Sequence, residues 1–195
     1  MSQSCVALFG TSADPPTGDR GHRGIVRWLT ETPLDELGGI PDEVWVLPVY
    51  RHAFVEKRDM APFEDRMAMA RLAFGDLPRV RVSDVERSVA EGAGGEVGAV
   101  DVVEHLIAHN PGVRFAWVMG ADTHQDFRSG RWKGGSRLAE LVPLVVVARP
   151  NEGSGHRVEG LGPVSSSMAR QGRDGVVPDP VRTYMQLRDL YGRRD

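Results

Sequence analysis

His22 stands at the start of a run with helical spacing, just after a loop rich in glycine and proline, and that placement suits a histidine that meets a phosphate. The stretch from Cys5 to Ile25, CVALFGTSADPPTGDRGHRGI, opens with a short apolar run, Cys5 to Phe9, that predicts a buried strand. Gly10, Pro15, Pro16, Gly18 and Gly21 make a turn-rich segment, and Ile25, Val26, Trp28 and Leu29 follow at core spacing. A strand, a loop and a helix in that order aim free backbone N–H groups and the positive end of the helix dipole at one point, where an anion is stabilised. The glycines do not follow G-x-G-x-x-G, and no Gly-Lys-Ser/Thr follows them, so this is neither the dinucleotide fingerprint nor a P-loop. A second such place is VSSSMAR. Ser165, Ser166 and Ser167 offer hydroxyls and N–H groups at a helix start, and Arg170 follows, a set that suits an anion. Gly120 and Asp122 follow an apolar run, in the loop where such a fold places its ligand contacts.

The elements that would position these residues alternate along the chain. After the first strand and a helix ending near Thr32, before Pro33, the runs Val44 to Val49, Val80 to Val82, Phe115 to Met119 and Leu144 to Ala148 predict four more strands. Pro62 suits the first turn of a helix, PFEDRMAMARLAF, that buries Phe63, Met67, Ala70, Leu72 and Phe74 or a subset of them and exposes Glu64, Asp65 and Arg71. Val100 to His109 predicts a helix with Val103, Leu106 and Ile107 inward. Asp179 to Leu190 predicts another, with Val181, Met185, Leu187 and Leu190 on its apolar face. Ser88 to Gly98 and Arg149 to Pro163 read as Gly-rich connections. Continuous apolar strands between helices indicate a doubly wound parallel α/β sheet, in which ligands bind beyond the carboxyl ends of the strands. The loops 10–21, 50–61 and 120–133 all follow strands and should meet in one crevice.

The composition narrows the class. A chain of 195 residues with net charge −3 has room for one sizeable core and lacks the basic excess that general nucleic-acid binding needs. Its one cysteine, Cys5, falls in the first strand and excludes an internal disulfide or a cysteine-based zinc site. No signal peptide and no bilayer-spanning run are read, so a cytoplasmic enzyme with small-molecule partners, no nucleic acid and no membrane is expected. A homo-oligomer stays open.

The loops then acquire a resemblance. FGTSADPPTGDRGH resembles the GGTFDPPHxGH signature of the nucleotidylyltransferase superfamily. DEVWVLPV, a loop bearing His52 and Lys57, and PFEDRMAMARLA are similar to the next part of the nicotinate-nucleotide adenylyltransferases. GAD with Phe127 and Trp132 resembles their GADxxxxFxxW region, VSSSMAR their ISSTxIR motif, and VVPDPVRTYMQLRDLYG their lvPxxVxxYIxxxxLY ending. The likeness runs in order over almost the whole chain. It implies one Rossmann-like domain over residues 1–195 and transfer of the adenylyl group of ATP to a pyridine mononucleotide, with pyrophosphate leaving together with Mg²⁺. Such chemistry asks mainly for alignment and charge stabilisation, and no protein metal ligands. By the resemblance, His22, Thr17 and Lys57 are catalytic; Gly10, Thr11, Ser12, Gly21, His22, Gly120, Asp122, Ser165, Ser166 and Arg170 hold ATP; and His52, Lys57 and Trp132 hold the acceptor, Trp132 by stacking on its ring. Asp14 either fixes its turn or joins the site, and Arg66 either makes an ion pair or reaches ligand.

Two departures stand out. The first histidine of the signature is absent, and either Thr17, with two extra residues before Gly21, or Asp19 takes its place. Thr17 could donate to a phosphate, an ionised Asp19 would repel one, and Arg20 within the extra residues could restore a positive charge. The Tyr-Thr pair that helps hold a pyridine carboxylate is replaced by Gly98-Ala99, which leaves nicotinate and nicotinamide mononucleotide, another phosphorylated acceptor, and a relative with impaired catalysis as alternatives.

Overall fold

The computed structural model describes residues 3–51, 60–94, 97–150 and 154–192. Six strands, β1 (Ser4–Thr11), β2 (Glu43–Pro48), β3 (Val80–Val82), β4 (Val113–Gly120), β5 (Leu144–Ala148) and β6 (His156–Arg157), form one parallel sheet in the order β3-β2-β1-β4-β5-β6. The chain winds outward from β1 to β3, then crosses to β4 and winds the other way, so the reversal falls between β1 and β4.

Side-chain alternation explains why the four inner strands, β2, β1, β4 and β5, are largely apolar. Cys5, Ala7, Phe9, Val44, Val46, Ala116, Val118, Val145 and Val147 face one side, under α1 (His22–Glu31), α2 (Phe63–Phe74) and α8 (Asp179–Leu187). Val6, Leu8, Trp45, Leu47, Phe115, Trp117 and Met119 face the other, under α3 (Val85–Ala93), α4 (Ala99–His109) and α6 (Gly135–Leu141). Both faces are therefore covered, as a parallel sheet requires. The remaining helices, α5 (Ala121–Arg128) and α7 (Ser166–Arg170), lie at the carboxyl end of the sheet, where they line the cleft described below.

Several expectations are corrected. Residues Ser88 to Ala93 are not a loop but most of α3: Val85, Val89 and Ala90 recur at helical spacing against the second core, and Gly94, in the left-handed region at φ 66°, ends the helix. The connection after β5 contains the short edge strand β6, with Val147 opposite His156. Leu72, Ile107 and Leu187 are exposed; α8 stops at Leu187, which is 80 % exposed, and the chain beyond it turns so that Leu190 and Tyr191 pack instead. Asp65 is buried, not exposed, and accepts hydrogen bonds from Tyr184 Oη at 2.8 Å and Arg188 Nε at 3.2 Å, tying α2 to α8. Helix α1 does end before Thr32, which takes the extended conformation that a following proline favours.

Candidate active site

A cleft of about 590 Å³ opens at the carboxyl ends of β1 and β4 and is walled by the loop after β1, the start of α1, α5 and α7. Two glycines owe their places to close approach. A Cβ on Gly10 would lie 2.6 Å from Trp117 Cζ2, so the indole can cross the end of β1 only where there is no side chain. A Cβ on Gly21 would lie 2.1 Å from Thr17 Oγ1, so the loop can fold back onto the helix start.

That fold-back fixes His22. The backbone N–H of Thr17 donates to His22 Nδ1 at 3.1 Å, and the Thr17 hydroxyl accepts from the backbone N–H of His22 at 2.8 Å while lying 3.0 Å from Nδ1. A ring nitrogen that accepts an N–H carries no proton, so the network assigns the proton to Nε2, and His22 lines the cleft as a neutral donor. Burial holds its pKa down at about 4; Asp122 opposes this and Arg149 adds to it. Thr17 is 1 % exposed and its hydroxyl is engaged with His22 on both counts, so its proton is not directed at a ligand. Asp19 is absent from the cleft lining; its carboxylate pairs with Arg23 at 3.2 Å and Arg27 at 2.9 Å on the outer side of α1.

Across the cleft, α7 presents Ser165, Ser166, Ser167 and Arg170. Ser165 Oγ accepts from Met168 N at 3.2 Å and caps the helix, which leaves its own proton available. Ser166 Oγ donates to the carbonyl of Pro15 at 2.9 Å, so it joins α7 to the first loop. Arg170 donates to the carbonyl of Asp14 and to Ser167 Oγ at 3.1 Å, and lies 3.4 Å from the Asp14 carboxylate. Asp14 is 4 % exposed and also accepts from Ala61 N at 3.1 Å and Tyr191 Oη at 2.5 Å. It is a junction of four chain segments, not only a turn residue.

Arg66, 2 % exposed, makes no ion pair among the described residues and does not line the cleft. Its guanidinium donates to the carbonyls of Ser12 at 2.9 Å, Val49 at 2.5 Å, Tyr50 at 3.1 Å and Ala61 at 2.9 Å. It thus clasps the first loop and both sides of the connection between β2 and α2. His52 and Lys57, expected to hold the acceptor, lie outside the described residues.

The opposite wall is aromatic and acidic. Trp132 lines the cleft and packs edge-on against Trp117 at 6.4 Å and Phe127 at 5.8 Å between centroids. Asp122, in the first turn of α5, accepts from Thr123 N at 2.7 Å and remains exposed beside Gly120. Glu86, which the sequence did not single out, lines the same cleft. Its carboxyl is 8 % exposed and accepts from Tyr50 N at 2.9 Å, and burial raises its pKa to about 7 against the opposing pull of that hydrogen bond and of Arg66. Trp117 and Arg149 also line the cleft without having been expected there; an apolar strand residue and an arginine in a Gly-rich connection carry no sequence signal that marks them. Thr11, Ser12, Gly10, Gly21, Gly120, Asp122, Ser165, Ser166, Arg170, Trp132, Thr17 and His22 are all brought to this one cleft.

Comparisons with known proteins agree with the geometry. The chain is 37 % identical over 194 residues to a protein of Anaeromyxobacter dehalogenans strain 2CP-C named a probable nicotinate-nucleotide adenylyltransferase, covering 95 % of this chain and 96 % of the relative. A protein of the same name from Geobacillus kaustophilus is 30 % identical over 201 residues, covering 97 % and 87 %. The fold superposes on a Plasmodium falciparum nicotinic acid mononucleotide adenylyltransferase solved in complex with NaAD, with a TM-score of 0.77 at 16 % identity over 96 % of this chain and 97 % of that one. A family profile described as cytidylyltransferase-like matches residues 8–172, and with these relatives it follows that the chain belongs to the nicotinate-nucleotide adenylyltransferases of the cytidylyltransferase-like family.

Proposed function

We propose that the protein transfers the adenylyl group of ATP to the phosphate of nicotinate mononucleotide, forming the dinucleotide and pyrophosphate in NAD biosynthesis. The observation that supports it most directly is that the neutral Nε2–H donor of His22 and the guanidinium of Arg170 line one cleft, carried on different elements, α1 and α7. An oxygen of the acceptor phosphate attacks the α-phosphorus, the bond to the bridging oxygen breaks, and its electron pair leaves with pyrophosphate. The acceptor phosphate is itself the nucleophile, so the chain need supply none. His22 donates to a non-bridging oxygen as charge builds there, and Thr17 acts through it by fixing tautomer and orientation. Arg170 and the capping hydroxyl of Ser165 meet the phosphates, and Asp122 accepts from a ribose hydroxyl. His52 and Lys57 remain candidates for the acceptor.

Among the described residues no three His, Cys, Asp or Glu side chains are grouped to hold a metal. In this reading Mg²⁺ arrives with the triphosphate, whose oxygens and water suit a small hard cation. No helix among the described residues is long and apolar enough to cross a membrane, and the reading puts the reaction in the cytoplasm with the soluble nucleotides it uses.

Nicotinamide mononucleotide is a second acceptor worth its own arm, because Glu86 lines the cleft and Gly98, which starts α4, has no side chain to offer a ring substituent. A carboxyl near neutrality favours an uncharged amide over a carboxylate. The test is pyrophosphate release with ATP, Mg²⁺ and each mononucleotide in turn. Release with nicotinate mononucleotide at the higher kcat/KM is expected; release with neither pyridine nucleotide overturns the proposal.

A further inference from the structure

We propose that Arg20 is a phosphate-binding residue of this cleft, gripping the β- and γ-phosphoryl groups that leave as pyrophosphate. The proposal rests on the adenylyltransferase reading and assigns within it a residue that the family signature does not contain. Arg20 sits in the two residues by which the first loop exceeds that signature, and it lines the cleft together with His22, Ser165 and Arg170.

Three observations set it apart from an ordinary surface arginine. First, its side chain has a built seat. The guanidinium lies flat over Gly162, where a Cβ would come 2.5 Å from Nη2, 2.7 Å from Nε and 2.9 Å from Cζ. The backbone is docked at the same place, since Gly162 N–H donates to the Arg20 carbonyl at 2.9 Å. Second, no carboxylate among the described residues neutralises it. The adjacent Asp19 is held by Arg23 and Arg27 instead and is absent from the cleft lining, which Arg20 joins. Third, the first loop lacks one of the two histidines of the signature. Thr17 stands where the signature has a histidine, and its hydroxyl is committed to His22. A guanidinium gives that loop a cationic donor and a planar fork that matches phosphate oxygens.

Depth assigns the phosphates. His22 is partly buried and neutral, which suits the reacting α-phosphoryl group, whereas Arg20 is exposed at the rim, where the polyanion departs.

Binding of ATP, inorganic pyrophosphate and AMP by calorimetry, with steady-state kinetics beside it, tests the assignment. Arg20→Ala should raise the Kd of ATP and of pyrophosphate about tenfold or more, leave AMP within twofold, and leave KM for the mononucleotide within twofold. Arg20→Lys should recover part of the loss, since it keeps the charge and loses the fork. Gly162→Ala offers a variant that spares the arginine. Gly162 is outside the left-handed region, so alanine is allowed there, and its methyl should push the guanidinium aside and weaken pyrophosphate binding with an unchanged Tm. Unaltered ATP and pyrophosphate affinity in Arg20→Ala overturns the proposal, and so does equal weakening of AMP. Failure of the adenylyltransferase reading looks different: the unmodified protein then releases no pyrophosphate with either pyridine nucleotide.

Discussion

His22 and Thr17 show what a few atoms decide. Because Nδ1 accepts from a backbone N–H, protonating the ring would break that bond as well as bury a charge, and both effects keep the imidazole neutral with Nε2–H outward. A donor of this kind acts mostly where negative charge develops. His22→Ala should therefore lower kcat about 10²-fold or more, with a smaller change in KM for ATP; steady-state kinetics check it, and unchanged turnover would refute the role. Thr17 makes a subtler case. Thr17→Val keeps the volume but leaves the His22 N–H without its acceptor and the ring without its second support. A loss of about tenfold in kcat with KM little changed is expected, and Thr17→Ser should restore it. If serine fails to rescue, the hydroxyl is not what positions the ring. The sequence made His22 visible because a histidine at a helix start after a glycine loop is an unusual local pattern. It could not show that Thr17 turns back onto the helix, because that depends on Gly21 having no Cβ, a contact across the loop and not a spacing along it. Nor could Glu86 be found from its neighbours: only the packing of α3 buries it against Tyr50.

At the scale of elements, α1 and α3 carry opposite titrations into one cleft. His22, at the start of α1, has its pKa lowered to about 4, so the unfolded chain binds more protons between pH 4 and 6.5 and stability rises with pH there. Glu86, in the first turn of α3, has its pKa raised to about 7, so the folded chain binds more protons between pH 4.5 and 7 and stability falls as pH rises. Each group alone can contribute a slope of at most about 1.4 kcal/mol per pH unit, and over the shared window the two oppose. His105, on the exposed side of α4, is shifted in the same direction as His22 and adds little from the surface. The native protein should thus show a shallow stability profile from pH 4.5 to 6.5. Glu86→Gln keeps an acceptor for Tyr50 N–H and removes the titration, so its stability should climb through that window. Urea unfolding at half-unit pH steps reads this directly, and parallel profiles for the two proteins would sink it. The same helix α3 marks a limit of sequence reading. The glycines between Ser88 and Gly98 suggested a loop, while Val85, Val89 and Ala90, too few for a strong periodic signal, were enough once the second core lay beneath them.

For the molecule as a whole, the parallel sheet was legible because strands covered on both faces must be apolar at every position, and that pattern survives without any knowledge of pairing. What the pattern could not carry is how distant segments lock the cleft together, and Asp14 is where they do so. It joins the first loop to Ala61 ahead of α2, to Arg170 of α7 and to Tyr191 beyond α8, partners separated in sequence by 47, 156 and 177 residues. Burial and the hydrogen bond to Asp14 raise the Tyr191 phenol well above its ordinary range, so at any working pH it is a donor. Tyr191→Phe removes that single proton and leaves Asp14 Oδ1 with Ala61 N alone. A buried, charge-assisted hydrogen bond lost in this way should cost about 1.5–3 kcal/mol, which for a chain of this length lowers Tm by several degrees. The functional consequence should exceed that of a remote destabilising change, because the Asp14 carboxylate also faces Arg170 at 3.4 Å. With Tyr191 gone, the carboxylate draws on Arg170 more strongly and holds it back from the cleft. KM for ATP should therefore rise several-fold at a temperature where the variant is fully folded, with KM for the mononucleotide unchanged. Equal KM values in the two proteins, alongside the expected fall in Tm, would show that the Asp14 junction holds the fold together without setting the grip of Arg170.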